Sequence, residues 1–251
     1  MQGFDLLESV YWQPFKYIHL THRFFNINSE TVIYTWITLA ILAALIIPIR
    51  FILHKKGILR FVLITMIRES AEMSKQTLGE FSFNHYVFVM SLFFFIFIGS
   101  IIGVVPFIEE PTGDLNTTLA LAIVTFCYIQ VYAIKVNGLW AYAKEYFSPI
   151  FIMLPLNIIS KLATIISLSF RLFGNIFGGA MITKLALTAT QGSLWLETFA
   201  LLSGFNLLLI GFFGVFEALI QAFVFAMLAL TYLALALKGE EMGLEPTEGN
   251  T

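Results

Sequence analysis

Long apolar stretches dominate this chain and leave it few ways to fold. They run from about Thr31 to Leu53, Tyr86 to Ile108, Thr117 to Ile134, Ser148 to Ala189 and Thr198 to Leu237. A bilayer's hydrocarbon core is ~30 Å thick and is crossed by ~20 predominantly apolar residues in a helix. With 59% hydrophobic and 12% charged residues, the pattern predicts an all-α polytopic membrane protein with about five crossings. The net charge of −2 argues against a nucleic-acid partner, and no phosphate-cradling glycine motif is present. The single Cys127 excludes an intrachain disulfide and reads as a small packed hydrophobe.

The five stretches organise one membrane domain, residues 1–251. Residues 1–30 mix Tyr11, Trp12, Phe15 and Tyr17 with Lys16 and Arg23, as an outer interfacial segment would, and lack the apolar core of a cleaved signal peptide. His19 and His22 stand three apart there, a spacing that makes a weak metal pair without a third ligand. The first span, 31–53, has Ser29 available as a cap. Residues 57–80 interleave Ile58, Phe61 and Ile64 with Arg60, Arg68 and Glu72, and read as an amphipathic helix on the cytoplasmic surface. Residues 86–134 form a helical hairpin whose turn, EEPTGDLN, has acids but no Lys or Arg. Six basic residues between Arg50 and Lys75, with Lys135 and Lys144, mark the opposite side as cytoplasmic. That places the N-terminus outside and the tail, 238–251, inside.

The last two stretches, within 148–237, approach forty residues each. At ~1.5 Å per residue each would be ~60 Å long, twice the hydrocarbon thickness. Each therefore breaks into a hairpin or stays one long, strongly tilted helix; the absence of a polar mid-stretch turn other than RLFGN favours the tilted, antiparallel pair.

Arg171 lies inside the first of these stretches. An arginine at mid-membrane costs ~2.5–3.5 kcal/mol on insertion scales and more in simulations, so its presence calls for a reason. On a 3.6-residue period Ser160, Thr164, Ser167, Arg171, Asn175 and Gly178 share one face, and Gly174 with Gly178 forms a GxxxG that predicts close helix approach. On the last helix, Asn206, Glu217 and Gln221 share a face, with Gly214 beside them. Two readings stay open: an Arg171–Glu217 ion pair that only holds helices together, or a carboxylate that exchanges protons beside a fixed charge.

SLSFRLFGNIFGG, followed by ALIQAFVFAMLALTYL and preceded by PTGDLNTTL, resembles subunit a of the F-type ATP synthases over roughly residues 80–237. The resemblance implies a stator subunit, not an enzyme by itself, with two offset half-channels. These protonate and deprotonate carboxylates on a rotating c-ring and couple proton flow to ATP synthesis on a soluble head. It implies as partners the c-ring, peripheral-stalk b subunits, that head and membrane lipids, a transported proton with sodium as the alternative ion, and no cofactor or metal. It also implies a bacterial plasma membrane, with an organelle inner membrane as the alternative.

By the same resemblance Arg171 matches the arginine that separates the half-channels, Ser167 and Asn175 match polar positions around it, and Gln221 matches the glutamine near it. Asp114 and Asn116 match the outward turn. The chain departs from the family pattern at Ala180, nine residues after Arg171, and Gly214, seven before Gln221, where many members carry an acid or histidine. Glu217 is the expected substitute relay, with Glu197 at the outer turn, Glu109 or Glu110 at the mouth, Lys184 snorkelling outward and His85 at an interface. Two rival classes remain: a secondary transporter, for which the chain shows no internal repeat, and a structural anchor, for which Arg171→Ala would impair assembly rather than conduction.

Overall fold

The computed structural model describes residues 11–12, 27–104, 110–147, 153–190, 204, 208 and 210–238. The architecture is all-α, and among the described residues five helices are long and apolar enough to cross a membrane. They are α1 (Ser29–His54), α3 (Phe83–Ile101, continued as a 3-10 turn over Ile102–Val104), α4 (Leu115–Phe147), α5 (Met153–Thr190) and α6 (Glu217–Lys238). The amphipathic segment forms α2 (Ile58–Leu78) and stops at Gly79, whose φ of 87° lets its N–H reach the Lys75 carbonyl. Within the N-terminal segment, β1 (Tyr11–Trp12) pairs antiparallel with β2 (Ile27–Asn28). His19 and His22 lie outside the described residues.

Two boundaries differ from the sequence reading. The third span continues past Ile134 to Phe147 as helix, with a break at Gly138 (φ 78°, ψ 153°), a backbone region essentially confined to glycine. Lys135, Asn137 and Gly138 end the apolar run, and Gly138 marks a kink between two helical stretches. Ahead of α6, Ile210–Phe216 is π-helical, so each N–H there reaches back five residues instead of four. The 3.6-residue projection that aligned Asn206 with Glu217 does not carry through that segment, and Asn206 itself lies outside the described residues.

The expected long helix is continuous. α5 holds 38 residues without a break at RLFGN, about 57 Å of helix, so it must lie tilted in a membrane. Pro155 falls in its first turn, where a missing N–H costs nothing. The second long stretch is described continuously only from 210 onward, and the connection between them lies outside the described residues.

The described residues fall into two compact units. One gathers the chain up to Arg50 with Phe94–Thr118 and Arg171–Ala222. Its interior holds Thr38, Ile96, Ser100, Pro111, Thr112, Leu172, Ile176 and Ala218. The turn Pro111–Gly113 is tucked in: a Cβ on Gly99 would stand 3.4 Å from Thr112 and 3.6 Å from Pro111, and the Thr112 and Ser100 hydroxyls are 3.1 Å apart.

The other unit gathers Phe51–Phe93, Leu119–Phe170 and the chain from Phe223. Val89, Ala226 and Leu230 form its core cluster, and the many buried alanines, among them Ala122, Ala229 and Ala234, let helices approach closely. His85, expected at an interface, is buried here; its Nδ1 lies 3.0 Å from the Tyr128 hydroxyl and its ring meets Tyr132 edge-on. Cys127, expected to be packed, is instead exposed, because α4 turns Thr125, Ile129 and Ala133 inward.

Candidate functional site

Asp114 fixes the start of α4. Its Oδ1 accepts the Asn116 N–H at 3.0 Å, its carbonyl accepts the N–H groups of Thr117 and Thr118, and its Oδ2 accepts the Thr31 hydroxyl of α1 at 3.0 Å. Of the DLN turn, Asp114 is therefore a helix cap and a link to α1, while the Asn116 side chain is exposed.

α5 separates two faces. Leu168, Leu172, Ile176 and Gly179 are buried at helical spacing, whereas Ser167 and Arg171 are exposed and Asn175 is half-buried. The polar stripe thus faces away from the chain's own packing. Arg171 forms no ion pair or hydrogen bond with the described residues, so the purely structural Arg171–Glu217 bridge is not what holds these helices. Within the described residues no helix approaches Gly174 or Gly178 closely: a Cβ on either would meet nothing within 4 Å. The tight contact is one position on. A Cβ on Gly179 would stand 3.1 Å from Glu217 Oε2 and 3.3 Å from the Phe213 ring.

Glu217 opens α6, one turn before the half-buried Gln221. Its Oε2 is buried and accepts no hydrogen bond from the described residues, an arrangement that asks for a functional explanation. It lines a cavity of about 340 Å³ together with Ser100, Gly103, Glu110, Ile176, Ala180, Thr183, Lys184 and Gly214. Ala180 and Gly214 are both on this wall, and their small size leaves the space open. Lys184, expected to snorkel away, is exposed yet also lines the cavity.

Glu110 crosses the face of Gly103, where a Cβ would stand 3.1 Å from its Oε2. Burial, and secondarily the charge of Glu217, raise its carboxyl from 4.5 to about 7. Sequence spacing pointed to Glu110 only as a mouth residue; nothing in it joined Glu110 to Glu217. Glu109, the alternative mouth residue, and Glu197 lie outside the described residues.

A second cavity, of about 190 Å³, meets α5 earlier in its course, at Lys161, Thr164, Ile165 and Leu168. Thr125, Gln130, Tyr142 and Tyr232 supply its other polar side chains. The Tyr142 hydroxyl donates to Gln130 Oε1, and Lys161 Nζ sits 4.9 Å from the centre of the Tyr142 ring. Among the described residues no group of three or more His, Cys, Asp or Glu is arranged to hold a metal ion.

Residues 32–234 match the ATP synthase A chain family. The chain belongs to this family. It is 33% identical over 247 residues, 96% of both chains, to ATP synthase subunit a of Albidiferax ferrireducens. ATP synthase subunit a 2 of a Picosynechococcus species is 33% identical over 235 residues, 91% of this chain and 94% of its own. ATP synthase subunit a of Nitrosospira multiformis is 32% identical over 245 residues, covering 94% and 91%.

Proposed function

We propose that this chain is the proton-conducting stator subunit of an F-type ATP synthase and that its two cavities belong to two offset half-channels. One observation carries the reading. Along the continuous helix α5, one cavity is lined at residues 161–168 and the other at 176–184, with the exposed Arg171 between them in chain order. Two access spaces with a fixed charge between them are what a device needs to admit an ion on one side and release it on the other without a leak.

In this reading protons driven by the membrane potential, worth ~2.3 kcal/mol per charge per 100 mV, reach Glu217 from the outer side. Glu217 passes the proton to a carboxylate on a c-ring subunit running along the exposed Ser167–Arg171–Asn175 face. Neutral, that carboxylate turns into lipid; returning, it meets Arg171, whose positive charge favours the ionised form and releases the proton inward. Gln221, one turn beyond Glu217, supplies a neutral hydrogen-bonding group to the same surroundings. Rotation then drives ATP synthesis on the soluble head, held by peripheral-stalk b subunits, with the assembly in a bacterial plasma membrane, N-terminus outside.

The test is ATP-driven proton pumping by the whole complex in liposomes. Arg171→Ala and Glu217→Gln, each in fully assembled complex, are expected to lose coupled pumping. Normal coupled pumping by the arginine variant would overturn the proposal.

A further inference from the structure

Ala180 and Gly214 bring no titratable group to the larger cavity, and among the described residues its titratable lining is Glu110, Glu217 and Lys184. The two carboxylates come from different parts of the chain, one from the segment before α4 and one from the start of α6, and each is seated the same way. Glu110 Oε2 and Glu217 Oε2 both lie 3.1 Å from where a glycine, Gly103 or Gly179 respectively, lacks a Cβ. Side chains of ordinary size at those glycines would push both acids out of the cavity. Lys184 is exposed and pairs with neither.

From this geometry we infer that Glu110 and Glu217 form a two-carboxylate proton relay across the cavity, with Glu110 the outer member that loads Glu217. A proton arriving from water binds Glu110; its O–H bond then breaks as a water in the cavity takes that proton and gives one of its own to Glu217, and the Glu110 carboxylate is ready for the next proton. Two acids within electrostatic reach titrate as a pair, because ionising one opposes ionising the other. The raised carboxyl of Glu110, about 7, keeps the pair partly protonated near neutral pH, the condition for both accepting and giving. This inference rests on the proposed proton path.

The experiment uses the assembled complex in two measurements. In liposomes, Glu110→Gln is expected to slow proton pumping at least tenfold, while Glu110→Asp retains a substantial part. In detergent, infrared titration is expected to show a carboxyl midpoint near 7 that disappears in Glu110→Gln and moves to lower pH in Glu217→Gln, where the like charge is gone. Pumping and pH profile unchanged in Glu110→Gln, with Glu217→Gln inactive, would overturn the relay and leave the role of Glu217 standing. A midpoint unmoved in Glu217→Gln would overturn it as well, whatever the pumping. Normal coupled pumping in Arg171→Ala would remove the path on which the relay rests.

Discussion

Glu217 Oε2 rests 3.1 Å from the point where a Cβ on Gly179 would stand, on the wall of the acid-lined cavity. The contact is with the far end of a flexible chain, but the Phe213 ring closes the same point at 3.3 Å and its Cβ at 3.4 Å. Gly179→Ala is expected to displace the carboxylate and to cost ~1–3 kcal/mol from overpacking. Gly178→Ala, with nothing within 4 Å, is expected to match or exceed wild-type stability, since alanine favours helix over glycine by ~1 kcal/mol. Thermal unfolding of the purified chain compares the two.

Arg171 is exposed and has no partner among the described residues. Arg171→Ala is therefore expected to change the chain's stability by no more than about 0.5 kcal/mol, as ordinary surface substitutions do. Unfolding curves and the yield of assembled complex measure this. A large loss of either would favour the structural-anchor reading.

Asp114 combines a cap with a link to Thr31. Asp114→Ala is expected to cost ~0.5–2 kcal/mol for the cap and about 1 kcal/mol more for the lost Thr31 bond. Asp114→Asn keeps an acceptor for the Asn116 N–H and is expected to cost less. The order of unfolding temperatures, Asp above Asn above Ala, checks the assignment.

Glu110 gives the fold a pH dependence of definite sign. Its carboxyl titrates at about 7 in the folded chain against 4.5 ordinarily, so between those values the native state holds more protons than the unfolded one. Stability from this group is present below 4.5 and is lost as pH rises through about 7. The unfolding temperature of Glu110→Gln is expected to fall less steeply over that window than that of wild type. Parallel slopes would show that the Glu110 carboxyl is not held neutral by its surroundings.

Helix number and length were legible in the sequence because hydropathy reports what is kept from water, and α5 could be read as one tilted helix from its length. Which face of each helix packs inward was less legible. In a membrane, lipid tails and protein interiors are equally apolar, so Cys127 and the pair Gly174/Gly178 carried no sign of facing outward. The polar stripe through Arg171 was readable because polar residues cannot face lipid without cause. The pairing of Glu110 with Glu217 was not, since it depends on a buried turn at Pro111–Gly113 and on two glycines elsewhere in the chain. Gly138 and the π segment escaped for a related reason: both change helix direction or phase without interrupting an apolar run by much.

The π segment Ile210–Phe216 also bears on how chains of this kind are compared with one another. A π turn accommodates what amounts to one extra residue, and losing one there would return the helix to α geometry and rotate everything upstream by about 100° relative to Glu217 and Gln221. A single-codon deletion can thus re-aim half a helix while every side chain on it is inherited unchanged. Chemically equivalent positions on either side of such a turn need not share an alignment column, and an acid that looks displaced by one residue in a spacing count can still occupy the same place in space.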